Sequence, residues 1–209
     1  MQVVLERAHR LVFIVIPVIA TSAIAPLPGQ AATLSLSGAS TTIDGFSHTP
    51  YSIDTFTDTN TETSVLSGNV QAIAEAGADF ALQPVTIGSN FTLTQTNGEG
   101  QYYFGIAHSQ SDILGRFQIN SGEAFSFNFL TALQLEISVD SPEFETTFAN
   151  GSIQFNLFDN FTGSLLDSFG LVGQLDSLGT NSLDLKSSSS LQQVEFLNPY
   201  FSNGAHASS

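Results

Sequence analysis

The stretch Phe125-Ser126-Phe127-Asn128-Phe129-Leu130-Thr131-Ala132-Leu133-Gln134-Leu135-Glu136-Ile137-Ser138-Val139 decides the fold class. Its odd positions are Phe, Phe, Phe, Thr, Leu, Leu, Ile and Val; its even positions are Ser, Asn, Leu, Ala, Gln, Glu and Ser. Successive side chains of an extended chain point to opposite faces, so one face here is almost wholly apolar and the other mostly polar. A strand with one side on a core and one toward water has this pattern. The run is long for a strand, whose usual length is about five or six residues. A bend or bulge is therefore expected near Leu130-Thr131-Ala132, or a passage from one sheet into another.

The neighbouring segments repeat the alternation. Arg116–Ile119 is expected to pair with Phe125–Phe129 across the turn Asn120-Ser121-Gly122-Glu123. Further back, Phe91 and Leu93 lead into Asn97-Gly98, and Tyr102, Phe104 and Ile106 follow. Asn-Gly tolerates positive φ at both turn positions, so Ile87–Ile106 reads as a hairpin. Leu34 and Leu36 alternate with Thr33, Ser35 and Ser37. On the C-terminal side, Ile153, Phe155 and Leu157 mark a strand. Leu165–Leu171 marks another after the turn Asn160-Phe161-Thr162-Gly163, and Leu191–Leu197 a last one. A helix competes only over the Ala-rich Val70–Leu82, where Gly68, Gly77 and Ile73 favour strand. Lys186-Ser187-Ser188-Ser189-Ser190 reads as a solvated loop. Turn signals at intervals near about 8–12 residues predict an all-β fold, an antiparallel β-sandwich of jelly-roll-like type.

Residues 1–31 follow a different logic. Arg7 and Arg10 precede the apolar run Leu11-Val12-Phe13-Ile14-Val15-Ile16, then Pro17, Val18, Ile19 and Ala20, and a small-residue tail through Pro28-Gly29-Gln30-Ala31. Basic, then apolar, then small is the order of a secretory signal helix. Gly29 and Ala31 suit the two small pockets of the peptidase, which places the cut before Ala32. Ala23 and Ala25 form a second small pair, but Pro26 would follow that bond. The apolar stretch Leu11–Ala25 is 15 residues, short of the roughly 20 that span hydrocarbon. The expected division is a signal peptide over 1–31 and a single domain over 32–209. The product is exported to the cell surface, the extracellular space or the periplasm, with no stable membrane span after cleavage.

Losing Glu6, Arg7 and Arg10 leaves 18 acidic residues against Arg116 and Lys186, moving the net charge from −15 to −16. No cationic patch remains to displace counterions from phosphates, which excludes nucleic acid as a partner. The chain has no cysteine, so neither disulfides nor thiol chemistry is available and packing alone must stabilise the fold. With 18 Phe and abundant Leu, Ile and Val, it is too apolar to remain disordered.

The nucleophile elbow G-x-S-x-G, the H-E-x-x-H zinc motif, the phosphate loop and the dinucleotide glycines are all absent. His108 neighbours Ser109, Ser111 and Asp112, but a Ser-rich chain produces such neighbours by chance, and a triad needs spatial adjacency. No catalytic residue and no cofactor is expected. Two carboxylate clusters offer hard oxygen ligands suited to calcium. One is Asp58, Asn60 and Glu62, with Asp54 on the same side of an extended segment; the other is Asp140, Glu143 and Glu145 around Pro142. Thr63 stands where a helix-flanked calcium loop needs Gly, and Asn69 where it needs Glu, so only a non-standard site remains. Their plainer role is a charged strand edge that resists pairing. Without Trp, the four Tyr residues are the aromatic platforms for a sugar. Tyr102 and Tyr103 point to opposite faces, which makes Tyr103 the exposed ligand-binding candidate when Tyr102 is buried.

The signal ending Gln30-Ala31-Ala32-Thr33-Leu34-Ser35-Leu36 stands ahead of an acidic, Phe-rich β region. In that region Ser109-Gln110-Ser111-Asp112-Ile113-Leu114-Gly115-Arg116-Phe117 is followed by Gly122-Glu123-Ala124-Phe125-Ser126-Phe127-Asn128-Phe129-Leu130. Together they resemble cyanobacterial exported proteins of the PEP-CTERM type, whose β-sandwich ectodomain precedes a C-terminal sorting tag. The resemblance covers residues 30–207 and implies a surface or secreted protein associated with extracellular polysaccharide. The segment Asn203-Gly204-Ala205-His206-Ala207-Ser208-Ser209 departs from it, with no Pro-Glu-Pro motif, terminal apolar helix or basic tail. Either that sorting route does not apply, or the chain lacks its last strands. The expected function is a non-enzymatic structural or adhesive role at the cell surface or matrix, with polysaccharide or other surface proteins as partners. The alternatives are a carbohydrate- or calcium-dependent binding module and, more weakly, a glycoside hydrolase, whose paired carboxyls would flank a sugar cleft.

Overall fold

A computed structural model describes residues 2–4, 9–26, 31–83, 85–140, 145–179 and 181–187. No helix occurs among the described residues. The strands are β1 (Gln2–Val4), β2 (His9–Pro26), β3 (Ala31–Asp44), β4 (Ser52–Ala81), β5 (Ile87–Ile119), β6 (Ala124–Ser126), β7 (Asn128–Val139), β8 (Glu145–Asp159), β9 (Leu165–Asp176) and β10 (Ser182–Ser187). The sheet runs β10-β9-β8-β2-β5-β3-β7, with β4 along the other edge of β5, while β1 and β6 form a small separate ribbon. Every pairing is antiparallel. The sheet curls on itself into a half-barrel.

The curl originates in the β4–β5 ribbon, which stays in one register from Ser52↔Arg116 to Ala81↔Ile87. Midway, the opposed residues Gly68 and Gly100 take φ of 123° and 108°, and Tyr102 takes φ of 55°. A side chain at those two glycines would be strained, so glycine is what lets both strands bend at one point. Across this kink the buried positions of β5 change parity, from even numbers over 88–98 to odd numbers over 103–119. One edge of β5 thereby serves two strands. Gly88–Gly100 pairs with β3, and Gly105–Ile119 with β2.

The curl brings inner faces into contact. Asn90 Nδ2 donates to the Ser111 carbonyl at 3.1 Å, and the Ser35 and Ser37 hydroxyls donate to the Phe148 and Asn150 carbonyls at 2.6 and 2.5 Å. At one end lies the apolar core, in which Ile43, Ile113, Phe117, Phe125, Phe127, Phe155 and Phe169 are buried. Phe129 meets Phe155 with ring centroids 4.5 Å apart and Phe169 at 5.1 Å.

The alternation over Phe125–Val139 is present, with odd positions turned inward, but the break falls at Phe127 instead of Leu130–Ala132. Val70–Ala81 is strand, and the turns at Asn120–Glu123 and Asn160–Gly163 form. Three expectations need correction. Asn97-Gly98 is not a turn: both residues pair within β5, and the ribbon reverses after Ala81. Arg116–Ile119 pairs with β2, and Arg116 also with Ser52 of β4, not with Phe125–Phe129. The hydroxyl face of β3, not the Leu34 and Leu36 face, is the buried one, and there Ser35 and Ser37 bond to β8 carbonyls.

The segment read as a signal helix lies in the sheet. His9–Pro26 forms a strand held on both sides, by β5 and by β8. A near-continuous β-branched run such as Val12, Ile14, Val15, Ile16, Val18 and Ile19 has the composition of a strand. Register shifts in both ladders bracket Pro17, which has no N–H to give to either neighbour. Lys186 and Ser187 belong to β10, and Leu191–Leu197 lies outside the described residues.

Candidate polar site around Tyr103

Beyond the kink, β5 turns Tyr103 inward, where it is 3 % exposed. Its hydroxyl lies 2.8 Å from Thr33 Oγ1 and donates to Glu145 Oε1 at 2.9 Å. Thr33 and Glu145 are themselves buried, so one phenol ties β3, β5 and β8 together. Burial pushes the phenol well above its usual range. The Glu145 hydrogen bond and the negative charges of Glu145 and Asp140 push the same way, against the bond from Thr33. The group therefore stays protonated and serves as a donor. It cannot act as a base.

Above this cluster lies an open groove of about 340 Å³, lined among others by Thr33, Asn69, Gln71, Asn97, Glu99 and Asp140. Pairing of Asn69 with Glu99 and of Gln71 with Asn97 sets these four side chains side by side across β4 and β5, while Thr33, paired with Gly98, turns to the opposite, buried face. Amides and carboxylates in this density can donate to and accept from a hydroxyl-rich ligand.

The residues singled out from the sequence are placed as follows. Asp58, Asn60 and Glu62 stand on the exposed half of β4, opposite Gln110, His108 and Ile106. Asp54, on the same side, is held by Arg116 at 2.6 Å. Asp140 and Glu145 both act on the Tyr103 phenol, and Glu143 lies outside the described residues. Among the described residues no three His, Asp or Glu side chains group so as to hold one metal ion. The expected exposure of the tyrosines is reversed: Tyr103 is buried and Tyr102 is 49 % exposed. Tyr103 is thus not a surface platform. His108 shares its face with Thr21, whose Oγ1 lies 3.1 Å from Nδ1, while Ser109 and Ser111 are buried on the opposite face.

Sequence reasoning missed Thr33 and the groove amides. Thr33 lies 70 residues from Tyr103, so no local spacing announces it, and only the pairing of β3 with β5 brings the two together.

No family model, no curated protein and no solved structure matches this chain.

Proposed function

We propose that the protein is exported and serves as a non-enzymatic structural or adhesive component of the cell surface or extracellular matrix, on an all-β body closed in the manner of a β-sandwich. The observation that carries the reading is the basic–apolar–small order of Arg7 to Ala31, joined to an acidic, cysteine-free chain. The resemblance to PEP-CTERM-type exported proteins leads to the same compartment, with polysaccharide or other surface proteins as partners. The polar groups of the one buried cluster described above are spent on each other, which suits a mechanical role. Cell fractionation with intact-mass measurement tests the reading. A chain recovered outside the cytoplasm and beginning at Ala32 supports it, and a full-length cytoplasmic chain contradicts it.

A second reading is a carbohydrate-binding module, favoured by the groove over Asn69, Gln71, Asn97 and Glu99. Glycan-array binding that is lost on Asn97→Ala would support it. Binding unchanged by that substitution, or none at all, would leave the first reading alone.

A further inference from the structure

The two halves of β4, residues 52–67 and 70–81, lie on opposite walls of the curled sheet and face each other beyond the kink at Gly68. Pairing puts Thr57, Thr59 and Thr61 on the inner side of the first half, beside the buried Ser111, Ser109 and Ala107 of β5. It puts Ala72, Ala74 and Ala76 on the inner side of the second half, beside the buried Thr96, Thr94 and Thr92. Between Thr59 and Thr61 on one wall and Ala72 and Ala74 on the other lies an open slot of about 310 Å³.

Residue choice leaves this space open. Alanine is depleted in strands, yet it holds the inner positions 72, 74, 76 and 78. Larger side chains stand only at the ends, Val70 against Gly105 and Phe80 against Gly88. From Ala72 to Ala78 the strand spans roughly 20 Å. Next to the two walls, the hydroxyls of Ser109, Ser111, Thr92 and Thr96 are buried and have no hydrogen-bond partner among the described residues. A buried hydroxyl left without a partner costs stability. Among the described residues β4 pairs with β5 alone, so its two halves are free to part and admit a ligand.

Charge narrows what that ligand is. The inner side chains of the slot are uncharged, while Asp58, Glu62, Glu75 and Asp79 stand on the outer faces of the same strand and repel anions. Hydroxyls both donate and accept, and alanine methyls suit the C–H face of a ring.

We propose that this slot binds an uncharged oligosaccharide chain, whose hydroxyls partner Thr59 and Thr61 at the mouth and Ser109 and Thr96 behind it. The site is separate from the groove over Asn97. It deepens the adhesive reading above and rests on that reading for its role, whereas binding itself is measured on the purified chain whatever its compartment.

Isothermal titration calorimetry and thermal melting of the full chain test it, with cellohexaose and maltohexaose as neutral probes and hexagalacturonate as the anionic one. At least one neutral hexamer is expected to bind and raise the melting temperature, and the anionic one to do neither. Ala74→Leu fills the slot and weakens binding by about tenfold or more. Ser109→Ala weakens it too, and because it removes an unpartnered hydroxyl, the ligand-free chain melts at an equal or higher temperature. No binding by either neutral hexamer overturns the proposal. So does binding indifferent to Ala74→Leu, equal binding of hexagalacturonate, or a Ser109→Ala chain that melts lower without ligand. Binding that Asn97→Ala abolishes and Ala74→Leu spares places the sugar in the groove and overturns it as well. A chain that binds in the slot but stays in the cytoplasm contradicts the adhesive reading and not the site.

Discussion

The ring of Tyr103 packs against Gly98, with Cε2, Cδ2 and Cζ all inside 3.0 Å of where a Cβ on Gly98 would be. The two residues belong to the same strand on either side of its kink, so the ring folds back over its own backbone. This contact explains why an Asn-Gly pair sits in mid-strand: Gly98 is required for space under the ring, not for a turn.

Gly98→Ala therefore forces the ring off its seat and costs about 1–3 kcal/mol, the usual range for overpacking. Urea denaturation measures it. In a Tyr103→Ala background the same substitution should cost far less, because the two positions are in contact and their effects do not add. Equal costs in both backgrounds would contradict the ring-over-glycine arrangement.

Tyr103→Phe keeps the ring and removes the hydroxyl that donates to Glu145. A buried carboxylate stripped of a donor costs about 1–3 kcal/mol. The loss should appear as a lower denaturation midpoint with an unchanged denaturant slope.

Burial raises the carboxyls of Asp167 and Asp112 above their ordinary value of 3.8, against lowering bonds from the Ser168 amide and from Gln110. The folded chain then binds these protons more tightly than the unfolded chain does. Their contribution favours folding fully below the ordinary value and is lost as pH rises through the raised folded values. Asp167→Asn removes that dependence. Its thermal midpoint at neutral pH should exceed that of the wild type, and the fall in midpoint with rising pH above 3.8 should flatten. A midpoint lowered equally at all pH values would contradict this account of Asp167.

The Asp54–Arg116 pair is 2.6 Å long, but its side chains are 62 % and 32 % exposed. Asp54→Asn should cost less than about 1 kcal/mol, and the difference should fade as salt rises.

The sequence discloses which residues alternate, but not which face turns inward. Phe125–Val139 is legible because its two faces differ sharply in polarity. Over Thr33–Thr41 both faces are mild, and Ser35 and Ser37, not Leu34 and Leu36, turn inward to bond β8. The kink at Gly100 and Tyr102 shifts the alternation, so that Thr96 and Tyr103 share a buried side although their parity differs. The turns at Gly122 and Gly163 were legible from local chemistry, each glycine holding positive φ. The Thr33–Tyr103–Glu145 cluster was not, since its members meet only through long-range register.

The claim on which most depends is that His9–Pro26 fills the sheet between β5 and β8. Hydrogen exchange followed by mass spectrometry on the intact, uncut chain tests it directly. The prediction is slow exchange over 9–26, over 105–119 and over 146–158 together, the last two becoming faster when the first is removed. Fast exchange over 9–26 while 105–119 and 146–158 stay protected would contradict it.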